Sequence, residues 1–139
     1  MISAEVVIKA QFHDLDPMNV VWHGNYPRYL EQARCEVLDK IGYNYPQMQA
    51  SGYLWPIVDM RLKYVRPVRF GQDIVVAATI VEFENRLKID YRIRDRATGE
   101  VLTKAHTVQV AVKADTGEMC LESPPELTDK LRELAPCAD

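Results

Sequence analysis

Residues 12–26 read FHDLDPMNVVWHGNY, and the fold turns on how this stretch divides. Its Asp, Pro, Asn and Gly content is that of a loop. Val20, Val21 and Trp22 nevertheless require that part of it be buried. Upstream, Val6, Ile8, Ala10 and Phe12 alternate with Val7, Lys9 and Gln11, the period of a strand with one polar face. Downstream, Tyr29, Leu30, Ala33, Val37, Leu38 and Ile41 fall on one stripe, which predicts an amphipathic helix from about Tyr26 to Ile41. Asn25 is expected to be its N-cap. Pro27 stands in the first turn, where no intrahelical donor is needed, and Gly42 where a left-handed residue ends a helix. The stretch is therefore a junction from strand to helix.

Working outward, four more strands are expected. Val58, Met60, Leu62 and Tyr64 alternate with polar residues. Ile74–Phe83 is apolar on both faces, as a central strand would be. Leu87, Ile89, Tyr91 and Ile93 alternate with Lys88, Asp90, Arg92 and Arg94, and Val101–Val112 reads as one long strand. Pro67 in Arg66–Gly71, Thr98-Gly99 and Asp115-Thr116-Gly117 supply the turns. A short helix over about 125–134 presents Leu127, Leu131 and Leu134. Strands joined by short turns make a largely antiparallel sheet, and the one long helix must cover a face of it. With no internal repeat or linker, residues 1–139 are expected to form one domain.

Composition narrows the function. A net charge of −3 lacks the basic excess of a general nucleic-acid binder. Cys35, Cys120 and Cys137 are scattered, which predicts reduced thiols and neither a disulfide framework nor a metal motif. Cys35 is expected to pack within the helix as an inert thiol. The first residues lack a signal-peptide pattern and no apolar run is long enough to span a bilayer. The expectation is a cytoplasmic protein that binds neither membrane nor nucleic acid. GxSxG, GxGxxG and Walker motifs are absent from the sequence.

His13, Asp14, Asp16, Asn19, His23 and Asn25 lie within 13 positions of one another. Pro17 stiffens the loop that presents the Asp16 carboxylate. The N–H groups around His23–Tyr26 lie at the start of the long helix, where they are unsatisfied and partly positive. A carbonyl held there is polarised, and a carboxylate beside it can attack it or deprotonate a water. By spacing alone, however, an ordinary capped turn is the commoner use of such residues. Metal binding fits no zinc spacing.

The same run, Phe12 to Tyr26, resembles the signature of the 4-hydroxybenzoyl-CoA thioesterase-like family. That signature orders an aromatic residue, Asp or Glu, a second Asp, small or apolar residues, a Val-Val-type pair, His or Tyr, and Tyr. The resemblance extends over roughly residues 5–115 and implies an α+β hotdog fold, an antiparallel sheet of about five strands wrapped around one long central helix. It implies acyl-CoA thioester hydrolysis without a cofactor, coenzyme A being part of the substrate. It also implies a homo-oligomer, dimer or tetramer, with sites at subunit interfaces. Asp16 matches the catalytic nucleophile or general base, and His23 the residue whose N–H polarises the carbonyl. Asp14 would support them, and Asn25 and Tyr26 would shape the substrate site. Trp55, Pro56 and Ile57 would line the acyl pocket, and Arg86, Lys88, Arg61 and Lys63 would hold coenzyme A. Pro17-Met18-Asn19 is bulkier than is usual in relatives, which would narrow the acyl site. The alternatives are a hotdog hydratase or dehydratase using His13 or His23, and a non-catalytic acyl-CoA binding module.

Overall fold

The structure, a computed structural model, describes residues 1–138. Asp139 and the thiol of Cys137 lie outside what is described; Cys35 and Cys120 are free thiols. The elements run β1 (Ser3–Lys9), α1 (Tyr26–Lys40), α2 (Tyr45–Ser51), β2 (Tyr53–Leu54), β3 (Ile57–Tyr64), β4 (Asp73–Glu82), β5 (Leu87–Asp95), β6 (Val101–Gln109), β7 (Val112–Lys113) and α3 (Pro125–Ala138). Five strands form one antiparallel sheet in the order β1-β4-β5-β6-β3, and β2 pairs separately with β7. No described helix is long and apolar enough to cross a membrane.

α1 packs across β1 and β4. Its Leu30, Ala33, Val37 and Leu38 meet an inner sheet face that includes Ile74, Val76 and Ala78 of β4 and Ile89, Tyr91 and Ile93 of β5, all buried. Truncating one such large side chain to Ala costs about 2–5 kcal/mol. At the end of α1, Gly42 adopts φ 71°, and the N–H groups of Gly42 and Tyr43 donate to Asp39 and Leu38 carbonyls at 3.0 and 3.1 Å. Those two bonds make the expected left-handed stop. The helix leaves β3 uncovered, so Val58, Met60 and Tyr64 are exposed on an edge strand.

Several expectations need correction. β1 ends at Lys9, not Phe12, because the Asp14 carboxylate accepts the Gln11 N–H and bends Phe12–Asp14 into a 3-10 turn. Asn25 does not cap α1. A second 3-10 turn, His23–Asn25, runs into the helix, so Asn25 is itself helical in conformation and its amide is used elsewhere. The last long strand breaks after Gln109, and Val112–Lys113 crosses to pair with Tyr53–Leu54. The C-terminal helix continues past residue 134 to Ala138. Cys35 is exposed. Arg34 takes the buried position beside it, and Asn44 donates to the Cys35 Sγ at 3.2 Å.

Candidate active site

The loop between β1 and α1 is held by Asp14. Its Oδ2 accepts the Gln11 N–H and the Tyr29 hydroxyl, each at 2.9 Å. Its carbonyl accepts the Trp22 N–H and the Asn25 side-chain amide, also at 2.9 Å. One buried residue thus fastens both arms of the loop to the helix. Burial, and then the bond to Asp14, push the Tyr29 phenol far above its ordinary value, so it remains a donor. Asp14 and Asn25 support the loop and do not line its cavity.

Asp16 opens a three-residue hairpin loop. Its N–H donates to the Val20 carbonyl at 2.8 Å, Leu15 and Val21 pair beyond it, and Asn19 adopts φ 63°, a region Asn tolerates better than most residues. Oδ1 of Asp16 accepts the Met18 N–H at 2.8 Å. Oδ2 has no hydrogen-bond partner among the described residues. The capped-turn and the reactive readings of Asp16 therefore use different oxygens of the same carboxylate.

The His23–Asn25 turn faces this carboxylate across a cavity of about 240 Å³ lined by Asp16, Met18, Val21, His23, Tyr26, Tyr64 and Pro67, among others. The Tyr64 hydroxyl donates to the His23 carbonyl at 2.8 Å, tying the turn to the end of β3. The Trp22 ring lies on Gly24 so closely that an added Cβ would sit 2.3 Å from it. The backbone N–H groups of His23 and Gly24 have no acceptor among the described residues, and they stand at the positive end of α1. Tyr26 and Tyr64 pack edge to face at 4.8 Å. Burial raises both phenols, which for Tyr26 outweighs a backbone hydrogen bond with Val68. Both rings therefore act as neutral walls.

Trp55 and Pro56 line a different cavity. It measures about 440 Å³ and is mostly apolar, with Tyr45, Met48, Leu54 and Val112 in its walls. Trp55 is fixed there: its Nε1 donates to the Tyr43 hydroxyl at 3.2 Å and its carbonyl accepts Gln109 Nε2 at 2.7 Å. Ile57 is not in the wall; it is partly exposed at the start of β3. The two cavities adjoin opposite ends of β3, whose seven residue steps span about 23 Å.

The outer face of the sheet gathers Arg61, Lys63 and Lys88 with Arg92, Lys104, His106 and Asp90 around a third concavity of about 260 Å³. Register explains the cluster: Arg92 lies opposite Lys104, which lies opposite Lys63, so three cations stand in one row across β5, β6 and β3. Like charges directly opposite one another oppose sheet formation. Arg86 is not part of it; it pairs with Glu82 at 3.1 Å. No sequence motif marks Tyr64, Arg92 or Lys104 as a site residue. Alternation put Arg92 and Lys104 on a polar face but not in one row. Among the described residues, no group of three or more His, Cys, Asp or Glu side chains is arranged to hold a metal ion.

A model of the thioesterase-like superfamily matches residues 10–133. A Synechocystis protein provisionally named esterase sll0410 is 32% identical over 131 residues, covering 94% of this chain and 79% of that one. YneP of Bacillus subtilis, provisionally named an acyl-CoA thioesterase, is 28% identical over 110 residues, covering 78% of this chain and 79% of its own. The solved structure of a DHNA-CoA thioesterase from Staphylococcus aureus superposes with a TM-score of 0.84, covering 99% of this chain and 91% of that one, at 24% identity. That likeness establishes the hotdog architecture: a five-stranded antiparallel sheet with one long helix against it.

Proposed function

The chain is a thioester hydrolase of the thioesterase-like superfamily, and from that premise we propose that it cleaves acyl-coenzyme A to a free acid and coenzyme A with Asp16 as the working carboxylate. One observation carries the reading. Asp16, with its unengaged Oδ2, and His23, with its unengaged N–H, line one cavity at the start of a long helix, and the unengaged N–H of Gly24 follows next in the chain. The N–H groups are the donors for a thioester carbonyl oxygen as it gains negative charge. As a general base, Asp16 takes a proton from water while the water oxygen bonds to the carbonyl carbon. The tetrahedral intermediate then collapses, the C–S bond breaks, and the coenzyme A thiolate leaves and takes up a proton. As a nucleophile, an Asp16 oxygen instead bonds to the carbonyl carbon, the C–S bond breaks with departure of the thiolate, and water opens the resulting anhydride to the free acid and the Asp16 carboxylate. Neither route calls for a metal or a cofactor.

The remaining parts of the substrate follow the same physical logic. The row Arg92–Lys104–Lys63 ends at the sheet edge beside Tyr64, which lines the Asp16 cavity. Phosphates of coenzyme A on this row would relieve its internal repulsion, with Arg61 and Lys88 at its flank. The apolar cavity at Trp55 and Pro56 suits the acyl group. It stands a strand's length from Asp16 within one chain. A two-fold dimer pairing β3 with β3 antiparallel would bring the Ile57 end of one copy beside the Tyr64 end of the other. The uncovered edge with exposed Val58 and Met60 supports that homodimer. We place the enzyme in the cytoplasm.

The test is thiol release from short, long and aromatic acyl-CoA substrates by the wild type and by Asp16→Asn. Removing the carboxylate is expected to lower kcat by about 10²–10⁴-fold. Unchanged turnover on every active substrate would overturn the role of Asp16. Label found in the Asp16 carboxylate after a single turnover in ¹⁸O-water identifies the nucleophilic route, with water opening the anhydride at the aspartyl carbon.

A further inference from the structure

The apolar cavity at Trp55 has a polar component that an acyl tail of pure hydrocarbon would not use. Arg34, on the buried stripe of α1, has a side chain only 5% exposed. Burying a guanidinium is costly unless its donors are engaged. Its Nη2 donates to Glu31 at 2.9 Å, but that carboxylate is 61% exposed and offsets little of the cost. Its Nε has no partner. The other bond from Nη2 runs outward, to the Tyr45 hydroxyl at 2.8 Å. On the inward side burial raises the Tyr91 phenol, and the bond with Thr107 and then the nearby Arg34 guanidinium partly oppose it, so the arginine is felt in the sheet interior as well as at Tyr45.

Tyr45 lines the cavity. Because its oxygen accepts the bond from Arg34, its own O–H proton is left to donate, and no acceptor for it exists among the described residues. A second buried polar group is bonded to Trp55, which lines the cavity. Gln109 is 1% exposed, spends its amide N–H on the Trp55 carbonyl, and leaves Oε1 without a partner. We infer that this cavity selects acyl groups carrying a hydrogen-bond acceptor such as a hydroxyl or keto oxygen, with Tyr45 as the contacting donor and Arg34 as the residue that positions it. A hydrocarbon tail would desolvate the Tyr45 hydroxyl without replacing its bond to water, and such a loss discriminates between ligands that fit equally well.

The inference rests on reading this cavity as the acyl site. Its test uses two matched pairs: hexanoyl-CoA with 6-hydroxyhexanoyl-CoA, and benzoyl-CoA with hydroxybenzoyl-CoA. Dissociation constants are measured by calorimetry on the Asp16→Asn protein, and kcat/KM by thiol release on the unaltered one. The hydroxylated member of at least one pair is expected to bind about tenfold more tightly, the value of one net hydrogen bond. Adding Tyr45→Phe should bring that ratio close to one. Arg34→Gln should lower the ratio and Arg34→Lys restore part of it, whereas a purely structural role would weaken both members alike. Tyr45 is half exposed on the rim, so its variant carries the test should an Arg34 variant fail to fold. Equal binding within both pairs, or a preference that survives Tyr45→Phe, overturns the inference. A preference that Tyr45→Phe abolishes, without thiol release from any substrate, overturns the hydrolase reading and leaves the inference standing.

Discussion

The two ends of β3 are built on opposite principles. At the Tyr64 end, a polar loop with unengaged oxygens and N–H groups encloses a small cavity, and Tyr64 ties it to the sheet. At the Ile57 end, a larger cavity is walled mainly by Met48, Leu54, Trp55, Pro56 and Val112, with Tyr45 and Gln49 as polar groups in the wall. The first end can do chemistry but has little room for an acyl tail. The second has room but no reactive carboxylate in its wall. The contrast teaches that one chain holds reaction and recognition apart by the length of a strand, and that symmetry between copies is the economical way to join them.

The largest expected effect comes from separating the ends on different chains. Asp16→Asn and Leu54→Arg should each abolish turnover, the second by placing a charge in the apolar wall. When the two are co-expressed with different tags and purified together, about a quarter of wild-type activity should return, since half of the random dimers then hold one intact site of two. No recovery would mean that each chain contains a whole site. Next in size, Met60→Lys introduces an unpaired charge into the proposed β3 interface. It should raise the self-association constant Kd by roughly 100-fold, as judged by sedimentation velocity, with turnover falling in parallel. A fully active monomer would break the comparison outright.

Two smaller effects sharpen the Tyr64 end. Gly24→Ala drives a Cβ into the Trp22 ring. Because that ring is half exposed it takes up much of the clash by moving, and the accompanying shift of the turn should lower kcat several-fold with KM little changed. Wild-type kcat in this variant would show that the His23 turn tolerates movement. Lys104→Ala should raise KM for acyl-CoA about threefold at low salt and less at high salt. It should leave KM for an acyl-pantetheine lacking phosphates unaltered. An equal change for both thioesters would remove the sheet face from the coenzyme A site.

How much of this was legible depended on the range of each interaction. β1, α1 and the four later strands followed from local period, because a buried face repeats along each of them. The order of the strands did not, since β3 pairs with β6 across 39 to 52 positions, from Tyr64 with Thr103 to Ile57 with Gln109, and nothing local records that choice. β2 and β7 are two residues each and exist only through their pairing. α2 is too short for a stripe, yet Asn44-Tyr45-Pro46-Gln47 carries its capping box, a signal that could have found it. Arg34 reads by its charge as a surface residue, although it falls four residues from Leu30 and four from Leu38. In the site, Asp16 and His23 were readable from the motif. Tyr64 was not, because its bond to the His23 carbonyl joins residues 41 positions apart. Lys63 was readable as a cation, but its place in a row with Lys104 and Arg92 is a product of register.

The chain has two tryptophans, and each belongs to one end of β3. Trp22 lies on Gly24 beside the His23 ring and is 48% exposed; Trp55 stands in the apolar wall at 6%. A half-hydrated indole emits at longer wavelength than an enclosed one, so the two ends carry separate intrinsic optical labels. Replacing either tryptophan with phenylalanine leaves a single fluorophore. Ligand titrations followed by emission would then report filling of the reactive end and of the acyl end one at a time, without any added dye.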